Sequence, residues 1–74
     1  MSEGELQRRV GLHLRRYREA RLLSQEEFAD WLGYHRTYVG GLERGERNLT
    51  LKALERIASR LKLEPMDLLK KHMK

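Results

Sequence analysis

Apolar residues recur along this chain at spacings of three and four, with polar residues filling the gaps. Leu6, Val10, Leu14 and Tyr17 draw one such stripe and predict a first helix over about 5–21. Leu22-Leu23 leads out of it. Ser24 followed three residues later by Glu27 is the capping-box signature, which starts a second helix at about 25. Phe28, Ala29 and Leu32 form its inward face, and Gly33 stops it after 32. Val39 and Leu42 give the inward face of a third helix over about 36–43, closed by Gly45. Thr50 caps a fourth, over about 51–62, with Leu51, Leu54, Ile57, Ala58 and Leu61 on one stripe. Pro65 suits the first turn of a fifth, over about 65–71. The tail 71–74 is expected to fray. Nothing alternates with period two, so the expected fold is all-α, a compact bundle of five helices.

Two of these helices are too short to stand alone in water, and only tertiary packing can hold them. The third also carries local costs. His35 occupies a cap position that Ser, Thr or Asp fills better. Gly40-Gly41 lies in the helix interior, at about 1 kcal/mol each relative to Ala. A helix built this way implies close approach of a ligand or another backbone at that place.

Seventy-four residues make one domain, 1–74. A chain of this size buries only about 60–65% of its unfolded surface. Without Cys it has neither disulfides nor thiolate metal sites, so dimerisation is the common remaining source of stability. Eleven Arg and five Lys against eleven acids give a net charge of +5. That balance points to a polyanionic partner, and the excess of Arg suits phosphate and guanine. The N-terminus carries acids rather than an apolar run, and no stretch approaches the ~20 apolar residues of a membrane span, so a cytoplasmic protein is expected.

The segment from Ser24 to Val39 concentrates the chemistry. A short helix, a tight turn at Gly33 and a second short helix opening with polar and aromatic side chains make the helix-turn-helix layout. In that layout the second helix enters the DNA major groove and its first residues meet base edges. Arg36 and Thr37 stand there, and Arg can pair bidentately with guanine. Tyr38 either meets a sugar or thymine methyl or packs beside helix two. Gly41, one turn past Thr37, lets the helix lie closer to DNA. His35 either donates to a phosphate or merely caps the helix. Gln25 sits at a helix N-terminus, where free N–H groups favour a phosphate. Arg44, Arg47 and Asn48 follow helix three and are candidates for phosphate contacts, Arg47 also for the minor groove. Leu63, Met66, Leu68 and Leu69 offer an apolar seam for a second copy. His13, His35 and His72 lack ligand spacing, so no metal is expected. No catalytic constellation or cofactor motif stands out, and no enzyme activity is expected. Trp31, on an otherwise polar face, has no assignment.

Val10-Gly11, Arg15, Arg18, Leu23-Ser24-Gln25-Glu26-Glu27-Phe28-Ala29, Gly33, Val39, Leu42-Glu43-Arg44-Gly45, Asn48 and Leu54 together resemble the lambda-repressor/Cro-like, xenobiotic-response-element family of bacterial and phage regulators. The resemblance covers about residues 10–69. The run Arg36-Thr37-Tyr38-Val39-Gly40-Gly41-Leu42-Glu43-Arg44-Gly45-Glu46-Arg47-Asn48-Leu49-Thr50-Leu51 is similar more narrowly to the controller proteins of restriction–modification systems, small dimers that bind inverted-repeat operators. The resemblance implies base reading by the first positions of helix three and a Gln–phosphate clamp at Gln25. It also implies a partly buried ion pair, Arg18 with Glu43, that orients the reading helix. Three residues depart from the pattern. Leu22 stands where the family often has Gly, His35 replaces an Asp or Ser cap, and Trp31 replaces a polar residue. The implied function is a homodimeric regulator of double-stranded DNA with no small-molecule effector. An antitoxin-type or phage-type repressor, or an interaction module that never binds DNA, are the alternatives.

Overall fold

The structure is a computed structural model, and it describes residues 1–71. Four α-helices follow one another: α1 (Glu5–Ala20), α2 (Gln25–Leu32), α3 (Arg36–Glu43) and α4 (Leu51–Leu61). A 3-10 turn over Pro65–Leu68 comes last. The described residues contain no strand. Residues 72–74, which include His72 and most of the expected frayed tail, lie outside the described part.

The helix starts follow the chemistry of their caps. The Ser24 hydroxyl accepts from the Glu27 N–H at 3.0 Å, and the Glu27 carboxylate accepts from the Ser24 N–H at 2.8 Å, so the capping box is reciprocal. The Thr50 hydroxyl accepts from the Ala53 N–H at 3.0 Å. Gly33 ends α2 at φ 80°, where a side chain would be strained. Leu22 makes the corresponding turn after α1 at φ 58°, so the residue that departs from the family pattern adopts the glycine-like conformation. Lys62 does the same after α4 at φ 59°, which stops that helix at Leu61 rather than 62.

One core joins all five elements. Val10 and Leu14 from α1 meet Phe28, Ala29 and Leu32 from α2, Val39 and Leu42 from α3, and Leu54, Ile57, Ala58 and Leu61 from α4. Two residues of the expected stripes point out instead: Leu51, the first residue of α4, and in part Leu6. The expected fifth helix is the largest correction. The Asp67 N–H donates to the Glu64 carbonyl at 2.9 Å and the Leu69 N–H to the Met66 carbonyl at 3.0 Å. This tighter winding drops Leu68 into the core at 1% exposure, so Leu68 is a core residue and not part of an intersubunit seam. The carbonyls beyond it are drawn onto α1: Arg9 donates to Leu69 at 3.2 Å and His13 to Lys70 at 2.8 Å. A carbonyl only accepts, so the His13 proton sits on Nε2.

The approach of α1 to α3 positions the rest. A Cβ on Gly11 would lie 2.7 Å from the Glu43 carbonyl oxygen and closer still to that of Leu42. Only glycine lets the two backbones meet there, and that contact fixes the C-terminal end of α3.

Candidate nucleic-acid interface

α3 is placed by its two ends. At its start, His35 Nδ1 accepts from the Thr37 N–H at 3.0 Å. His35 therefore caps the helix, which fixes the tautomer and leaves the Nε2–H at an exposed position next to Arg36. At its end, Glu43 is held from three sides. Arg18 Nε donates to Glu43 Oε2 at 2.8 Å and Arg18 Nη2 to Oε1 at 3.1 Å, a bidentate fork. Gln25 Nε2 adds a third bond to Oε1 at 3.1 Å. The side chains of Arg18 and Glu43 are 15% and 3% exposed, so the pair is partly buried. Glu43 holds the Arg18 guanidinium above its ordinary pKa. Arg18 Nη1 also donates to the Leu23 carbonyl at 3.0 Å, tying the chain between α1 and α2 into the same node.

Arg36 and Thr37 stand outward at the start of α3. The Arg36 side chain is 63% exposed, and its nearest acid, Glu26, is 3.8 Å away on α2. An exposed pair that long holds Arg36 only loosely. Glu26 escaped the reading of the sequence. Its only signal was an acid in the first turn of α2, which a helix dipole already explains.

Tyr38 and Gly41 occupy a different setting. The Tyr38 ring lies 4.9 Å from that of Tyr34, whose hydroxyl accepts from Arg56 at 3.2 Å. Burial raises the Tyr38 phenol above its ordinary value of 10.0, Tyr34 adds to the rise and Arg47 opposes it. The phenol is thus a neutral donor at neutral pH. Arg47 reaches over this ring from the loop after α3, 5.7 Å from guanidinium carbon to ring centroid. Its stem lies on Gly41, where a Cβ would come within 2.8 Å of Arg47 Cγ. Gly40 lies beside Arg44 and Gln25 in the same manner, at 3.2 and 3.5 Å from a Cβ. The paired glycines therefore make room for neighbouring side chains. Gly41 is covered by Arg47 rather than presented bare.

Arg44 and Arg47 are exposed, Arg44 sharing Glu46 at 2.9 Å. Asn48 is exposed and accepts a long bond from Gln7 at 3.5 Å. Arg36, Thr37, Arg44, Arg47 and Asn48 thus come from α3 and the loop that leaves it, with Gln25 beside them on α2. Of the remaining apolar candidates, Met66 is 67% exposed, whereas Leu63 and Leu69 are half-buried against the core.

A short helix, a glycine turn and a second short helix held end-on by a buried ion pair define a helix-turn-helix protein. The helix-turn-helix family model matches residues 14–68, and the chain belongs to that family, of the Cro/C1 type. Its relatives narrow the class. Over 49 residues it is 49% identical to Control protein C.SmaI of Serratia marcescens, and over 47 residues 45% identical to Control protein C.BamHI of Bacillus amyloliquefaciens. These matches take in 66% and 64% of this chain, and in each case it spans 58% of the relative's length. The crystal structure of the restriction-modification controller protein C.AhdI from Aeromonas hydrophila superposes with a TM-score of 0.73 at 44% identity, covering 84% of this chain and 94% of that one. Among the described residues no helix is long and apolar enough to cross a membrane, and no group of acids and histidines could hold a metal ion.

Proposed function

We propose that this chain is a single-domain, sequence-specific regulator of double-stranded DNA, the controller of a restriction–modification operon, acting in the cytoplasm as a homodimer on a near-palindromic operator. One observation carries the reading: the start of α3 stands outward with Arg36 and Thr37 exposed, on a helix whose far end is locked by Glu43. An α-helix presented in this way fits the roughly 12 Å major groove.

The roles divide by position. Arg36 and Thr37 read base edges. Gln25, the His35 Nε2–H, Arg44 and Asn48 contact phosphates and set register without sequence information. Tyr38 and Gly41 act by steering Arg47 along the flank of α3, where it meets the groove edge. Two copies meet through Leu63, Met66 and Leu69, which spaces the reading helices about 34 Å apart, one turn of DNA.

Selection of bound sequences from a random duplex pool tests this, followed by titration of the selected site and a scrambled duplex. Two half-sites related by inversion are expected. Arg36→Ala should cost about 1–3 kcal/mol on the selected site and relax preference at one or two base pairs. Equal losses on both duplexes would remove the base-reading role. Sedimentation should show a dimer that Met66→Glu dissociates without unfolding. A wild-type monomer even on the selected site would remove the two-fold model.

A further inference from the structure

Trp31 and its surroundings take no part in the face described above. The Trp31 ring packs at 6.0 Å from Tyr17 and 6.4 Å from Phe28, and the residue remains 39% exposed. Arg21 lies over Tyr17 with its guanidinium carbon 3.5 Å from the ring centroid. Arg60 donates to the Trp31 carbonyl at 3.3 Å, and the Tyr17 hydroxyl donates to the Leu61 carbonyl at 3.3 Å, which brings Lys62 to the same edge. Arg21, Arg60 and Lys62 form no ion pair among the described residues. Glu27, one helical turn before Trp31, is turned back onto the Ser24 N–H.

A second observation is independent of charge. Among the described residues, Leu22 and Lys62 are the non-glycine residues at positive φ, and both adjoin this cluster, one after Arg21 and one after Leu61. Leu22 is also 92% exposed. Both residues end a helix, closed by the Leu23 N–H on the Arg18 carbonyl at 3.2 Å and the Leu63 N–H on the Ala58 carbonyl at 2.9 Å, a place that glycine usually fills. Cations at helix C-termini suit the helix dipole, which accounts for Arg21 and Lys62 singly. It does not account for an apolar side chain left 92% exposed beside them.

We propose that Trp31, Tyr17 and Leu22, with the cationic rim of Arg21, Arg60 and Lys62, form a docking surface for an acidic polypeptide segment carrying an apolar anchor. Half-exposed aromatics beside Arg are the usual centres of protein interfaces. Single-stranded nucleic acid fits less well, because bases stack on free aromatic faces and the Trp31 ring is packed against two neighbours. The surface uses no residue of the DNA face, so it stands or falls apart from that reading.

Trp31 is the only tryptophan and reports its own occupancy. The probe is a short synthetic peptide of Asp and Glu with two Leu and one Phe, titrated while tryptophan fluorescence is followed. A saturable change at about 1 mM or below is expected, the weak range for one short motif. The double variant Arg21→Gln, Lys62→Gln should weaken it at least tenfold and leave binding to a selected duplex intact. Leu22→Gly should raise the melting temperature while weakening the peptide, an opposition that a purely structural Leu22 would not show. The proposal is overturned if a peptide with Lys in place of the acids acts equally. It is equally overturned if duplex DNA gives the same change, if dilution of the protein alone gives it, or if Leu22→Gly leaves peptide affinity unchanged.

Discussion

Removing Arg18 tests whether the ion pair at the end of α3 is a coupled unit or a sum of contacts. Arg18→Met keeps the stem and deletes the fork, which leaves the Glu43 carboxylate at 3% exposure with Gln25 as its one remaining side-chain donor. Breaking a buried pair from one side costs about 3–5 kcal/mol. Against a total of about 4–11 kcal/mol for a 74-residue domain, that is a large share. Glu43→Leu strands the less buried partner, at 15% exposure, which can turn towards water, so it should cost about 2 kcal/mol. The double variant removes both charges. Only the Leu23 carbonyl and Gln25 Nε2 lose partners. It should therefore be more stable than Arg18→Met alone, with an interaction energy of about 2–3 kcal/mol. Urea unfolding followed by far-ultraviolet circular dichroism measures all four proteins. Losses that simply add would refute the idea of a stranded charge. So would Glu43→Leu proving the costlier single change.

Gly11→Ala drives a methyl into the carbonyls of Leu42 and Glu43, which are backbone and cannot step aside; a loss of about 2–3 kcal/mol and a melting temperature lower by about 10–20 °C are expected. Gly41→Ala sets a methyl 2.8 Å from Arg47 Cγ, near the root of that side chain, so Arg47 must turn away; this offsets the helix-propensity gain of about 1 kcal/mol, thermal melts should change little, and affinity for the selected duplex should fall in mobility shifts. The Ser24 backbone N–H, and secondarily its hydroxyl, hold the Glu27 carboxyl below its ordinary value of 4.5. That group stabilises the fold above this value and the contribution is lost as pH falls through the depressed one, so acid titration of Glu27→Gln should show a shallower decline than the parent.

Much of the fold was legible because local chemistry and tertiary packing agree. The capping box at Ser24, the glycine stop at Gly33 and the Thr50 cap each mark an end that the structure keeps. The disagreement at the C-terminus has a definite cause. Pro65 signals the start of a turn, but propensity does not say whether the turn continues. Here Leu68 must reach the core within one turn, and α1 donors take the carbonyls that follow. His13 supplies one of those donors. In the sequence it was only a histidine without ligand spacing. Its role depends on a carbonyl 57 positions away, which no local pattern encodes.

The interface was legible to a different depth at each residue. Arg36 and Thr37 could be placed outward from the layout, because they are polar and the apolar positions of the same short helix, Val39 and Leu42, take the inward face. Arg18 and Glu43 needed the family resemblance, since 25 residues separate them and neither spacing nor charge pairs them. Gly40-Gly41 shows where such reading stops. The cost of two glycines in a helix implied that something comes close, and something does. Within the chain, the side chains of Gln25, Arg44 and Arg47 come close there. A loop arginine laid on a glycine and covering a tyrosine cannot be inferred from spacing, because it depends on how the chain returns after Gly45. The start of α3 is therefore the part that pattern alone could place. On the proposed reading, the flank built from Tyr38, Gly41 and Arg47 adds to the preference that Arg36 and Thr37 set, so exchange of those three residues should alter the selected operator more than exchange of Gln25 or Arg44.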